Sequence, residues 1–204
     1  MSANFRMKTL ATLVAAAGLS VTGLANAASG TNTNAVGPRT VANPVNFSVV
    51  IPAFLYFQVG TVGSTNTMSF ATPAANVGNS TGVAPTGGDA GGGTGVNVVV
   101  RGNNGQVVIS TAVSSASGLG TGTAADGFIN YNEISTTSSD AANVPAPTLA
   151  NAAIGNVNVT LGGGVAGAGK VTNRSAVWTY SYLNTTVPSA GTYTGTATYT
   201  ATMP

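Results

Sequence analysis

Across residues 192–202 threonine takes every second position, and Tyr193, Gly195, Ala197, Tyr199 and Ala201 take the alternate ones, with Met203 next in line. A period of two is the spacing of a β-strand whose two faces meet different surroundings. The same period recurs along the chain. "VNFSVVI" sets Val45, Phe47, Val49 and Ile51 on one face, and Pro52 interrupts it. "NVNVTL" alternates Val157, Val159 and Leu161 with polar residues, and "AVWTYSYL" aligns Trp178, Tyr180 and Tyr182. "AFLYFQV", residues 53–59, is apolar on both faces and predicts a buried central strand. Residues 96–101 and 106–113 flank "GNNG" and predict a hairpin, because Asn-Gly supplies the positive φ angles of tight turns. Shorter strands are expected around Met68 and Phe70 and over residues 128–131. No helical spacing is sustained, and Gly-, Ser- and Ala-rich connections fill residues 78–95, 114–127, 136–153 and 162–169. About eight short strands with irregular connections predict an all-β, immunoglobulin-like β-sandwich.

The first 27 residues read as a cleaved secretory signal peptide. Arg6 and Lys8 precede an apolar run over residues 10–21, and Ala25-Asn26-Ala27 forms a small-x-small cleavage site. That run is short for a bilayer span, which needs about 20 residues. Residues 28–44 then read as a polar, Pro-containing arm, and residues 45–204 as one domain. There is no cysteine, so packing and strand pairing alone must hold a secreted fold. Beyond the signal, Arg39, Arg101, Lys170 and Arg174 balance Asp89, Asp126, Glu133 and Asp140. A neutral surface of Thr, Ser, Asn and Gly gives no electrostatic case for nucleic acid.

The chemistry of most enzymes is missing. Histidine and cysteine are both absent, which removes the usual general base, the thiol nucleophile and the commonest soft metal ligands. No catalytic residue and no cofactor site is expected. "DGFINYNE", residues 126–133, gathers oxygen ligands that suit calcium but lacks the spacing of a calcium loop, so a polar turn is the simpler reading. Trp178, Tyr180 and Tyr182 could form a stacking face for sugar, or a core row.

The two ends of the mature chain resemble bacterial fimbrial subunits assembled by the chaperone–usher route. In that family the C-terminal strand alternates and carries a glycine fourteen residues from its end; here that position is Gly191, in "AGTYTGTATYTA". "NPVNFSVVI" is similar to the pilin extension that leads into the first strand. Met203 stands where the family has an aromatic, the family's frequent disulfide is impossible, and no glycine interrupts "VNFSVVI". The resemblance implies a sandwich that lacks one strand of its own and is completed by a donated one. It implies a periplasmic chaperone, an outer-membrane usher and other copies of the chain as partners, and a place in a cell-surface fimbria reached through the periplasm. The donor would be Val45, Phe47, Val49 and Ile51, although the same four residues equally fit the first strand of the domain's own sheet. The acceptor side would comprise Gly191, Tyr193, Ala197, Tyr199, Ala201 and Met203. The alternative reading is a self-complete secreted sandwich that binds carbohydrate or another surface partner.

Overall fold

Valine and isoleucine at alternate positions build the centre of the structure. The computed structural model describes residues 29–33, 36–152, 155–167 and 169–204, so the signal-peptide reading lies outside the described residues. Two units divide the chain, Met1–Val50 and Ile51–Pro204. The described part of the first carries no helix or strand and is almost wholly exposed. Its residues 45–50 form no strand, and within this unit Asn32 Nδ2 donates to Thr40 O at 3.2 Å.

The second unit is antiparallel β-structure. In chain order its strands are β1 (Leu55–Val59), β2 (Gly95–Gly102), β3 (Val107–Val113), β4 (Leu119–Gly120), β5 (Phe128–Ile129), β6 (Ile134–Ser138), β7 (Gly155–Val159), β8 (Thr172–Tyr182) and β9 (Ala197–Thr202). One four-stranded sheet has the order β1-β2-β8-β6, one three-stranded sheet has the order β7-β3-β9, and β4 pairs β5. No described helix is long and apolar enough to cross a membrane.

The inner faces of the two larger sheets meet in one core. Val96, Val98, Val100, Ala176 and Trp178 come from the first, and Val107, Ile109 and Val159 from the second. Burying each large aliphatic side chain contributes about 1.5–3 kcal/mol, which is what holds a chain without disulfides. A second cluster of Tyr131, Ile134, Leu149 and Tyr182 adjoins it, with Phe70 tilted against Tyr182 at 6.3 Å.

Three expectations need correction. β2 and β3 do not form a hairpin: β2 pairs β1 and β8, whereas β3 pairs β7 and β9. Residues 103–106 arch from one sheet to the other, so that the two valine-rich faces bury each other instead of sharing one face. β1 is an edge strand, not a central one. Only Leu55, Phe57 and Val59 share the inner row with Gly102, Val100 and Val98, while on the outer face Tyr56 Oη donates to Gln58 Oε1 at 2.6 Å. The stretch around Met68 and Phe70 makes only a single bridge, Ser69 to Thr86. Conversely, β6 falls in what reads as a loop. Ile134 is its one buried apolar residue; Thr136 and Ser138 donate to Pro147 O (2.9 Å) and Val144 O (2.6 Å).

The two sides of the core differ. Beside β6 and β7 the connection over residues 139–152 closes it: Val144 and Pro147 are fully buried, and Trp178 Nε1 donates to Val144 O at 3.2 Å. Beside β1 and β9, the inward residues Phe57, Val59, Tyr199, Ala201 and Met203 are only partly buried. Ile109→Ala should lower the unfolding free energy by about 2–5 kcal/mol. Thr200→Ala, on the exposed face of β9, should change it by no more than about 0.5 kcal/mol. Urea denaturation reads both.

Candidate strand-acceptor edge

β9 alternates as its sequence demands. Ala197, Tyr199 and Ala201 turn inward, and Thr198, Thr200 and Thr202 are exposed. Among the described residues it pairs with β3 alone, through Ala197↔Val113 to Thr202↔Val108, and its other edge is open. Ser114 N–H donates to Thr196 O at 2.9 Å. Ladder bonds alternate in an antiparallel pair, so Thr198, Thr200 and Thr202 exchange bonds with β3. The N–H and C=O groups of Ala197, Tyr199 and Ala201 therefore point to the open edge.

β1 presents the same arrangement from the other sheet. Gly60 N–H donates to Asn97 O at 2.7 Å, which by the same alternation leaves the backbone groups of Leu55, Phe57 and Val59 on the open edge. On both edges, residues with free backbone groups have side chains packed on the core: Phe57 and Val59 on β1, and Tyr199 and Ala201 on β9. An unpaired edge beside an incompletely covered apolar interior favours pairing with another strand.

The end of this open side is fastened by the arch. Asn103 Nδ2 donates to Pro52 O (2.8 Å), and Phe54 N–H donates to Asn103 Oδ1 (2.9 Å). Asn104 Nδ2 donates to Pro204 O (2.8 Å), and the Met203 thioether lies over Gly102, where no Cβ intervenes. The start of β1 and the end of β9 thus converge on one turn.

At the other end, Trp178 and Tyr199 rings pack at 5.1 Å, and the Tyr180 and Tyr199 hydroxyls are 3.1 Å apart. Burial raises both phenols above their ordinary value of 10.0, and the neighbouring Tyr180 raises Tyr199 further.

The residues expected on this side are only partly brought together. Ala197, Tyr199, Ala201 and Met203 line it. Gly191 and Tyr193 do not, because the regular strand begins at Ala197. After Val113 the partner β3 ends and the chain returns as β4, so Thr194 pairs Gly120 instead. Gly195 passes too close to the Tyr131 hydroxyl for any side chain, and Tyr193 Oη donates to Asp126 O and Ser189 O at 3.0 Å. Phe57 and Val59, which face β9 across the opening, were hidden in a segment apolar at nearly every position. Reading Leu55, Phe57 and Val59 apart from Tyr56 and Gln58 would have found them.

The proposed donor residues are exposed: Val45 by 70%, Phe47 by 90%, Val49 by 82% and Ile51 by 73%. The aromatic row of β8 offers no face for sugar stacking, because Trp178 is fully buried and Tyr182 nearly so. Nor does residues 126–133 form a cation cage. Asp126 Oδ2 accepts from Thr121 Oγ1 (2.6 Å), whereas Glu133 accepts from the backbone and hydroxyl of Thr185. Among the described residues no group of three or more acidic, His or Cys side chains gathers.

No family model matches the chain, and neither a curated protein nor a solved structure matches it.

The raised phenols set the sign of an alkaline effect. An unfolded tyrosine ionises near 10.0, while Tyr180 and Tyr199 stay protonated in the fold. Their contribution is complete below that value and declines as pH rises above it toward the folded values. Unfolding free energies measured from about pH 8 to about pH 11 should fall over the upper part of that range, and less steeply in Tyr199→Phe.

Proposed function

We propose that this chain is a secreted structural subunit of a cell-surface filament, joined to its neighbours by strand donation, and that its role is not enzymatic. Its domain is then an immunoglobulin-like β-sandwich short of one strand. The segment Val45, Phe47, Val49 and Ile51 of one copy fills the side between β9 and β1 of the next. One observation carries the reading. The chain has both an open edge with a half-covered apolar row and an exposed apolar segment of the same period.

The energetics favour such a union. The incoming strand makes main-chain bonds to Ala197, Tyr199 and Ala201, and its alternate side chains enter the core, as in β-augmentation generally. Each of the four apolar side chains transferred from water contributes roughly 1.5–3 kcal/mol before the loss of chain freedom. Donor and acceptor are different surfaces, so repetition yields an open fibre instead of a closed ring. The resemblance to chaperone–usher subunits adds a periplasmic chaperone, which would cover the edge before assembly, and an outer-membrane usher. No nucleic acid or cofactor enters this scheme.

Negative-stain microscopy and size-exclusion chromatography of the secreted protein test it. Filaments are expected from the full chain, and monomers after deletion of residues 28–51. Phe47→Asp should weaken assembly at least about tenfold, since it places an unpaired charge against an apolar surface. Filaments that survive the deletion would overturn strand donation.

A further inference from the structure

Strand donation between copies faces a competitor: the chain's own arm. A tethered segment reaches its own edge at an effective concentration on the order of millimolar whenever the linker permits. The linker here is residues 52–54, between the arm and β1, and three residues suffice for a tight reversal between antiparallel strands. A hairpin at that point would lay residues 45–51 along the open edge of β1 and cover the core of the same molecule.

The structure holds residues 52–54 in another path. They contain no turn or bend, and they continue the line of β1 past Gly102. Asn103 uses both ends of its amide to keep them there. Its Nδ2 donates to Pro52 O at 2.8 Å, and its Oδ1 accepts from Phe54 N–H at 2.9 Å. A side-chain amide thus stands in for the next residue of a β-ladder. Proline reinforces the path, because it restricts Ile51 before it to extended conformations.

Direction matters as well. β2 and β3 run oppositely through the arch, β1 is antiparallel to β2, and β9 is antiparallel to β3. β1 and β9 therefore run in opposite directions across the open side. An arm folded back on its own β1 would lie parallel to β9, whereas the arm of a second copy can enter antiparallel to β9, the more stable pairing. One antiparallel register sets Phe47 beside Ala201 and Ile51 beside Ala197, large against small. It sets Val49 beside Tyr199 and Val45 beside Met203.

We propose that Asn103 is a positioning residue for assembly: by clamping residues 52–54 in line with β1, it denies the arm a hairpin onto its own edge and leaves the edge to a second copy. The inference rests on the strand-donation reading.

The cysteine-free chain makes the test direct, because any disulfide must come from introduced residues. Val45→Cys with Met203→Cys reports the antiparallel register between copies. Val45→Cys with Ala197→Cys reports the folded-back arm. Non-reducing electrophoresis of the full secreted chain separates interchain ladders from intrachain links. With Asn103 present, the first pair should give interchain ladders and the second few intrachain links. Asn103→Ala should raise the intrachain fraction of the second pair about tenfold, roughly the worth of two neutral hydrogen bonds in an equilibrium. Asn103→Asp keeps the acceptor for Phe54 N–H and loses the donor to Pro52 O, so it should give a smaller rise, and it decides the matter if Asn103→Ala does not fold. Asn104→Ala, which removes the neighbouring bond to Pro204, should give none. Interchain ladders that persist with an unchanged intrachain fraction in both Asn103 variants overturn the role of Asn103 and leave strand donation standing. An absence of interchain ladders in the parent pair overturns both.

Discussion

Two valine-rich segments separated by a few residues bury each other, and the rest of the domain is arranged around that contact. Val98 and Val100 on β2 meet Val107 and Ile109 on β3 across the space between two sheets, and all four are fully buried. Because the chain crosses between sheets at residues 103–106, each of the two strands becomes a central strand with a partner on either side. β1 and β8 flank one, and β7 and β9 flank the other. The arch also sets where the edges end, since its two asparagines hold Pro52, Phe54 and Pro204.

The imbalance between the two sides of the core follows from loop lengths and composition. The connection over residues 139–152 is long and carries Val144, Pro147 and Leu149, which enter the core and seal the side of β6 and β7. Beside β1 and β9, by contrast, the inward residues Phe57, Val59, Tyr199, Ala201 and Met203 are only partly buried. The order of β9 is explained without such a cover: ladder bonds to β3, the Tyr199 ring against Trp178, the Met203 thioether over Gly102 and the Asn104 bond to Pro204 each restrain it. The strand is held along one edge and both ends while its other edge stays open. That combination suits an acceptor, because an ordered edge loses little further chain freedom when a strand is added.

Polar residues do quieter work elsewhere. Asn184 is fully buried with a positive φ of 57°, and its side chain accepts from Gly78 N–H and donates to Asn76 O. It fastens the connection after β8 to the one after β1. Arg174 spends its guanidinium on the carbonyls of Thr160 and Leu161. With so few charges, hydrogen bonds from Asn, Thr and Ser carry the role that ion pairs have in other domains, and they satisfy the backbone of the long glycine-rich connections.

Much was legible where alternation was clean. β7, β8 and β9 follow directly from rows of Val, Trp, Tyr and Ala set against polar residues, and Trp178, Tyr199 and Ala201 face inward as the pattern requires. β6 was not legible, because its inward positions beyond Ile134 are Thr136 and Ser138, whose partners are loop carbonyls remote in sequence. Gly191 and Tyr193 carry the period of a strand, but beyond the end of β3 their segment makes a single bridge, Thr194 to Gly120. The sequence by itself determined all-β character, the inner and outer faces of β7, β8 and β9 and the exclusion of histidine and cysteine chemistry, since these depend only on residue type and period. Only the tertiary structure decided that "GNNG" arches between sheets, that β1 and β9 are edges, and that Asn103 and Asn104 hold them. Pairing is a contest among all strands for neighbours, and it is settled by which faces can be buried together.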